Sequence, residues 1–224
     1  MKKIKFLLGL FLILSIVACN DDDDDKKVES VTYNITFTLN WSSTNFPTDY
    51  PSNPHFSPMT GWSHKPGVNH FKLGATATDG LENVAETGST TPLDSELRTR
   101  IANQEGLNFY KGKLYLGGTG TISMQVSVNT TFSAISLITM IAPSPDWYIG
   151  IVDVNLIENG EFIQNKTLNA VVYDAGTDDG TTFNSENADT NPRGVISKIT
   201  TPPLGNGTTV MPVFATVAIE KVNQ

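Results

Sequence analysis

Hydrophobic and polar positions alternate without a break from Val31 to Trp41. Val31, Tyr33, Ile35, Phe37, Leu39 and Trp41 are apolar or aromatic, and Thr32, Asn34, Thr36, Thr38 and Asn40 stand between them. A period of two, enriched in β-branched and aromatic residues, predicts a half-buried strand. Ile122, Met124, Val126 and Val128 repeat the alternation, whereas Phe132 to Ile141 is apolar enough to predict a strand buried on both faces. Trp147–Ile157, Leu168–Tyr173 and Val213–Val222 predict three more strands. Residues 42–70, rich in Pro, Ser, Asn and His and without a period, predict a long ordered loop. Two short helices interrupt the pattern. Asp79 is placed to cap the first, which carries Leu81, Val84 and Ala85 and ends at Gly88. Thr91-Pro92 opens the second, with Leu93, Leu97 and Ile101 as its apolar stripe and Gly106 at its end. With "NPRG" and "TPPLGNGTT" as breakers, the whole predicts a mainly β, antiparallel sandwich with two short helices at one end or edge.

The amino terminus stands outside this pattern. Lys2, Lys3 and Lys5 precede an apolar run from Phe6 to Leu14, and Ile16-Val17-Ala18-Cys19 closes it. A basic start, a short apolar stretch and a small residue before a break are the features of a secretory signal, too short for a comfortable membrane span. Cys19 is the single cysteine of the 224 residues, and its setting resembles a bacterial lipobox. That resemblance implies cleavage after residue 18 and lipidation of Cys19, an anchor without a spanning helix. With no second cysteine there is no disulfide framework. Asp21 to Asp25 and Lys26-Lys27 follow, and residues 19–30 are expected to form a lipidated acidic tether. The run also resembles the export signals of surface lipoproteins in Bacteroidetes, and implies an outer-membrane, surface-exposed address. Without Lys2, Lys3 and Lys5 the chain carries 12 basic against 23 acidic residues, a net charge of −11. Such a balance excludes a nucleic-acid partner, which needs clustered Lys and Arg, and leaves cations or basic surfaces.

Two stretches carry candidate chemistry. In "APSPDWYIGI", from Ala142 to Ile151, Pro143 and Pro145 stiffen the approach to Asp146, so its carboxylate is presented with little backbone freedom. That suits a metal ligand, and equally a turn whose Asp accepts backbone hydrogen bonds. In "YDAGTDDGTTF", from Tyr173 to Phe183, Asp174, Asp178 and Asp179 crowd one loop with Gly176 and Gly180. Hard cations such as Ca²⁺ take six to eight oxygens from carboxylates, carbonyls and water. The spacing is not that of an EF-hand, and an exposed acidic turn reads the same way.

The two stretches resemble the hallmark motifs of the spondin domain, the amino-terminal domain of F-spondin and mindin. "FTLNWSSTNFPTDYPSNPHFSPMTGWSH", "ATDGLENVAETG" and "TNPRGVISKIT" extend the likeness over residues 31–222. The resemblance implies an eight-stranded antiparallel β-sandwich with Ca²⁺ at one rim, ligated by Asp146 and Asp174. The place of a third family ligand, a glutamate, falls by gapless counting on Ser127, with Gln125 two residues before it. Asp178, or a carbonyl near Ala175, is then expected to compensate.

His55, His64 and His70 have spacings that match no closed zinc site and read as packing residues. No nucleophile elbow, zinc-protease motif or phosphate loop appears. The sequence therefore reads as a non-enzymatic envelope protein for adhesion or recognition, its partner an unknown protein or glycan at the cell surface and its only membrane contact the lipid. A carbohydrate module using Trp62 or Tyr148 as stacking platforms is the alternative. A metal-dependent hydrolase would need an open coordination position and a base that the sequence does not offer.

Overall fold

The computed structural model describes residues 29–223. The leader (1–18), Cys19 and most of the acidic tether lie outside the described residues. In chain order the elements are β1 (Val31–Asn40), β2 (His55–Phe56), β3 (Thr60–His64), α1 (Asp79–Thr87), α2 (Leu93–Ala102), β4 (Gly106–Lys111), β5 (Tyr115–Leu116), β6 (Thr119–Val128) and β7 (Ala134–Ala142). They continue with β8 (Trp147–Asn155), β9 (Ile157–Glu158), β10 (Glu161–Phe162), β11 (Asn165–Asn169), β12 (Val171–Asp174), β13 (Ser197–Lys198) and β14 (Ala215–Lys221).

Strand β1 behaves as its alternation requires. Tyr33, Ile35, Phe37 and Leu39 are buried, and the residues between them face outward or are half-buried. The outward face is knitted to β6 by Thr32–Ser127 and Thr36–Ser123 hydroxyl contacts (3.2 and 3.0 Å) and by Gln125 donating to Asn34 (3.0 Å). β1 is central in a four-stranded antiparallel sheet of order β11-β14-β1-β6. The second sheet runs β13-β12-β8-β7-β2-β5, with β3 pairing both β7 and β4, and β9–β10 is a separate hairpin. The inner faces of the two sheets meet in one core built on Phe37, Trp41, Leu137, Ile149 and Val217. The result is an antiparallel β-sandwich.

The two helices lie against the second sheet, α2 over its edge strand β4 and α1 over β7 and β8. They cover the outer face of the second sheet, where Leu81, Val84, Leu93 and Leu97 pack with Trp62, Ile138, Tyr148 and Tyr173 in a second core. This layer explains why all nine residues of β7 are buried. It also overturns the long loop expected over 42–70. β3 lies inside that span, and its five residues are all buried because the sheet is covered on both sides. The strand expected from Leu168 to Tyr173 is two strands: β11 pairs with β14 in the first sheet, and β12 with β8 in the second. Helix α1 is capped by the Thr78 hydroxyl on the Leu81 N–H, one residue earlier than expected, and ends at Gly88 in the left-handed region. Pro92, at the N-cap of α2, has no side chain that could cap it.

Candidate metal centre

Asp146 lies in the turn between β7 and β8, after the two prolines. It is wholly buried. Its Oδ2 gathers three donors: the N–H of Thr177 (2.7 Å), the N–H of Asp178 (3.3 Å) and the Thr177 hydroxyl (3.3 Å). Its Oδ1 is equally buried and has no partner. An unpaired oxygen on a buried carboxylate is costly, by about 1–3 kcal/mol and more when charged. Burial, then the charge of Asp174, pushes Asp146 up to about 6, against the pull of the Thr177 and Asp178 donors.

Asp174 ends β12 directly opposite Trp147. Its Oδ1 accepts from the Gly176 N–H (2.8 Å). Burial raises it above the ordinary carboxylate range, and the charges of Asp178 and Asp179 add to this. The Gly176 N–H and the Trp147 indole oppose. Gly176 has φ +73°, and a Cβ there would stand 2.8 Å from the Val195 nitrogen, so the turn requires glycine. Asp178 is also buried, and braces the loop: Oδ1 takes the Gly180 N–H (2.6 Å) and Oδ2 the Ala188 N–H (3.0 Å). Phe183 roots the same loop in the sandwich core, with ring centroids 5.1 Å from Trp41 and 5.4 Å from Trp147.

The structure thus brings Asp146, Asp174 and Asp178 to one rim. Among the described residues the ion pairs are His64–Asp153, Arg100–Glu105, Lys166–Glu158, Arg193–Asp79 and Arg193–Glu82, so none of the three aspartates has a cation. Among the same residues no three His, Cys, Asp or Glu side chains stand ready at metal-holding spacing. What the rim offers is hard oxygen: the orphaned Asp146 Oδ1, the Asp174 carboxylate and a glycine-bearing loop rich in carbonyls. Those donors fit Ca²⁺, with carbonyls and water making up the number.

Ser127 is not brought to this rim. It pairs with Thr32 near the start of β1, whereas Trp41, just past its end, touches Phe183 beside the acidic loop. Eight residues of strand separate Thr32 from Asn40, about 26 Å at ~3.3 Å per residue. Ser127 instead donates its N–H to the Tyr110 hydroxyl (2.7 Å), and that hydroxyl donates to the Ser127 carbonyl (2.9 Å). Gln125 is bonded to Asn34 on the outer face, away from the rim.

Sequence reasoning missed Glu86 on α1. Its Oε1 is buried without a partner. Burial, and the charges of Glu82, Asp178 and Asp189, raise the carboxyl above the ordinary range, and the nearby Thr177 hydroxyl opposes them. The available signal was the spacing of Asp79, Glu82 and Glu86 along one helical face. Nothing in the sequence said that this face meets the acidic loop. Tyr148, read from the sequence only as a stacking platform, also feels these acids: its hydroxyl is buried and unpartnered, and burial and the charges of Tyr173, Asp146 and Asp174 raise it well above the ordinary phenol range.

The other candidates are placed elsewhere. Trp62 and Tyr148 are fully buried in the sheet–helix core, so neither is a platform for a sugar ring. His55 bonds the Asn53 carbonyl (2.8 Å) at the surface. His64 is buried between Ser136 (2.8 Å) and the Lys65 carbonyl (2.9 Å), and His70 is buried nearby.

A sandwich of two antiparallel sheets, backed by a helical layer and closed at one rim by a buried carboxylate and a glycine-bearing acidic loop, defines the class. The family model described as Spondin_N matches residues 31–207, and the chain belongs to that family. It is 33% identical to Spondin-2 of Rattus norvegicus over 175 residues, 75% of this chain and 52% of that protein. It is 33% identical to Spondin-1 of Homo sapiens over 176 residues, 75% of this chain and 22% of that protein. With Spondin-1 of Xenopus laevis the identity is 30% over 204 residues, 85% of this chain and 25% of that protein. The chain therefore spans about half the length of Spondin-2 and a quarter or less of Spondin-1.

Proposed function

We propose that this chain is a non-enzymatic recognition module, held at the cell surface by a lipid on Cys19, whose rim loops are fixed by one Ca²⁺. The carrying observation is Asp146: wholly buried, one oxygen satisfied by three donors, the other orphaned, and no cation paired with it among the described residues. Asp146 and Asp174 would hold the ion, with Asp178 shaping the loop. A bound ion would supply positive charge where the described residues have none, and so rigidify the rim rather than drive a reaction. The surface address rests on the leader and lipobox pattern of residues 1–19. The described residues contain no helix long and apolar enough to cross a membrane, which is compatible with a lipid as the anchor. A protein or glycan on the cell surface remains the expected partner, recognised through rim loops rather than through Trp62 or Tyr148.

Calorimetric titration of the chelator-treated protein with Ca²⁺ tests this reading. One saturable site and a raised melting temperature are expected, both lost in Asp146→Asn. No heat and no shift at millimolar Ca²⁺ would overturn it.

A further inference from the structure

The α1 helix carries an acidic stripe of Asp79, Glu82 and Glu86. Arg193 neutralises the first two: its guanidinium donates to Asp79 (2.8 Å) and pairs with Glu82. Glu86, one turn further on, pairs with no Lys, Arg or His among the described residues. Its carboxyl is near enough to the acidic loop to be acted on by the Thr177 hydroxyl and by the charges of Asp178 and Asp189. That hydroxyl already lies 3.3 Å from Asp146 Oδ2. The hydrogen bond it makes is to Asp146, so Asp146 holds the one proton the threonine has to give. Each carboxylate is left with one buried oxygen that has no partner, Asp146 Oδ1 and Glu86 Oε1. Two acids from different layers of the fold thus face one loop, with Asp174 and Asp178 adding charge around them and, among the described residues, no base paired with any of the four.

Resting on the Ca²⁺ reading above, we propose that Glu86 is a further acidic ligand of the rim cation, contributed by the helical layer. It supplies the third carboxylate that Ser127, at the far end of β6, does not. Among the described residues no three acidic side chains stand at metal-holding spacing, so Glu86 has to move to complete the set. A glutamate has three side-chain torsions with which to close on a bound ion, and α1 is held by Leu81, Val84 and Ala85 in the core beneath it. Ion binding would then clamp α1 to the 174–190 loop. This couples the helical layer to the rim, and one site would order two surfaces.

The test is Ca²⁺ calorimetry and Tb³⁺ luminescence, excited through Trp147 beside Asp174, on the native protein and on Glu86→Gln, Glu86→Asp, Glu82→Gln and Asp146→Asn. We expect Glu86→Gln to weaken binding by about tenfold or more, since carboxylate count sets much of calcium affinity. Its metal-free melting temperature should be unchanged or raised, because a repulsive charge is gone. Glu86→Asp should fall between Glu86→Gln and the native protein, and Glu82→Gln should stay within about twofold of native. Native affinity in Glu86→Gln, with binding abolished in Asp146→Asn, would overturn the role of Glu86 and leave the rim site standing. No binding by the native protein would overturn both. A loss in Glu82→Gln equal to that in Glu86→Gln would reduce the effect to general helix charge and likewise overturn the inference.

Discussion

Acid should weaken this fold through one imidazole. His70 is buried in the sheet–helix layer, edge-on to Phe71 with ring centroids 4.7 Å apart, and neither ring nitrogen has a hydrogen-bond partner. Burial, then the charges of His64 and Arg100, holds its pKa down at about 3, against 6.5 for a free histidine. Above pH 6.5 the ring is neutral in both folded and unfolded chains and costs nothing. Below it the unfolded chain binds a proton that the folded chain refuses, so stability falls by about 1.4 kcal/mol per pH unit. Between pH 6.5 and 5.0 that is about 2 kcal/mol, and by pH 3 about 4 kcal/mol. Asp146 works in the opposite direction. Its folded pKa is raised, so protonation between about 6 and 3.8 relieves a cost and adds stability. The assay is therefore a difference: urea unfolding of the native chain and of His70→Leu, both in chelator, at pH 7.5 and 5.0. His64, lowered mainly by its own burial, and Asp146 are present in both chains and cancel. The native chain should lose about 2 kcal/mol more than the variant. A gap between the two chains that does not change with pH would refute a neutral buried His70.

Other perturbations bear on the rim. Asp146→Asn should raise metal-free stability at pH 7.5 by about 1–3 kcal/mol, since the ionised carboxylate is held some two pH units above its free value; a lower urea midpoint in chelator would refute the repulsion. Gly176→Ala forces a side chain into the left-handed region and against the Val195 nitrogen, and should cost about 1–3 kcal/mol in thermal or urea unfolding. An effect below about 0.5 kcal/mol would show that the turn is not strained. Phe183→Ala removes the loop's root between Trp41 and Trp147 and should cost about 3–5 kcal/mol, with Ca²⁺ affinity falling alongside in titration.

The sequence disclosed what local physics decides. β1 was legible because one of its faces is core and the other solvent, which writes a period of two into the chain. Thr60-Gly61-Trp62-Ser63-His64 has no such period. It forms a strand because sheet neighbours flank it and a helical layer covers it, and its polar groups are met by distant partners: the Thr60 hydroxyl donates to the Tyr110 carbonyl, and His64 bonds Ser136. Nor does the run from Leu168 to Tyr173 show that the chain changes sheets at Ala170, since both halves are extended and only their partners differ.

The rim divides along the same line. Asp146 and Asp174 could be read because prolines and glycines beside them dictate how the backbone presents each carboxylate. Ser127 was misplaced by counting back along a chain that, between β6 and β7, runs away from the rim before returning to it. Glu86 could not be read at all. It comes near the rim only because α1 packs across β7 and β8, which brings a helix face to a loop some ninety residues later. A site at the end of a sandwich collects residues from strand ends and from whatever layer covers them. Its strand-end residues leave local marks, and its residues from the covering layer do not. For the cation proposed above, a further carboxylate is therefore best sought on the helix that covers the rim, and Glu86 is where that argument leads.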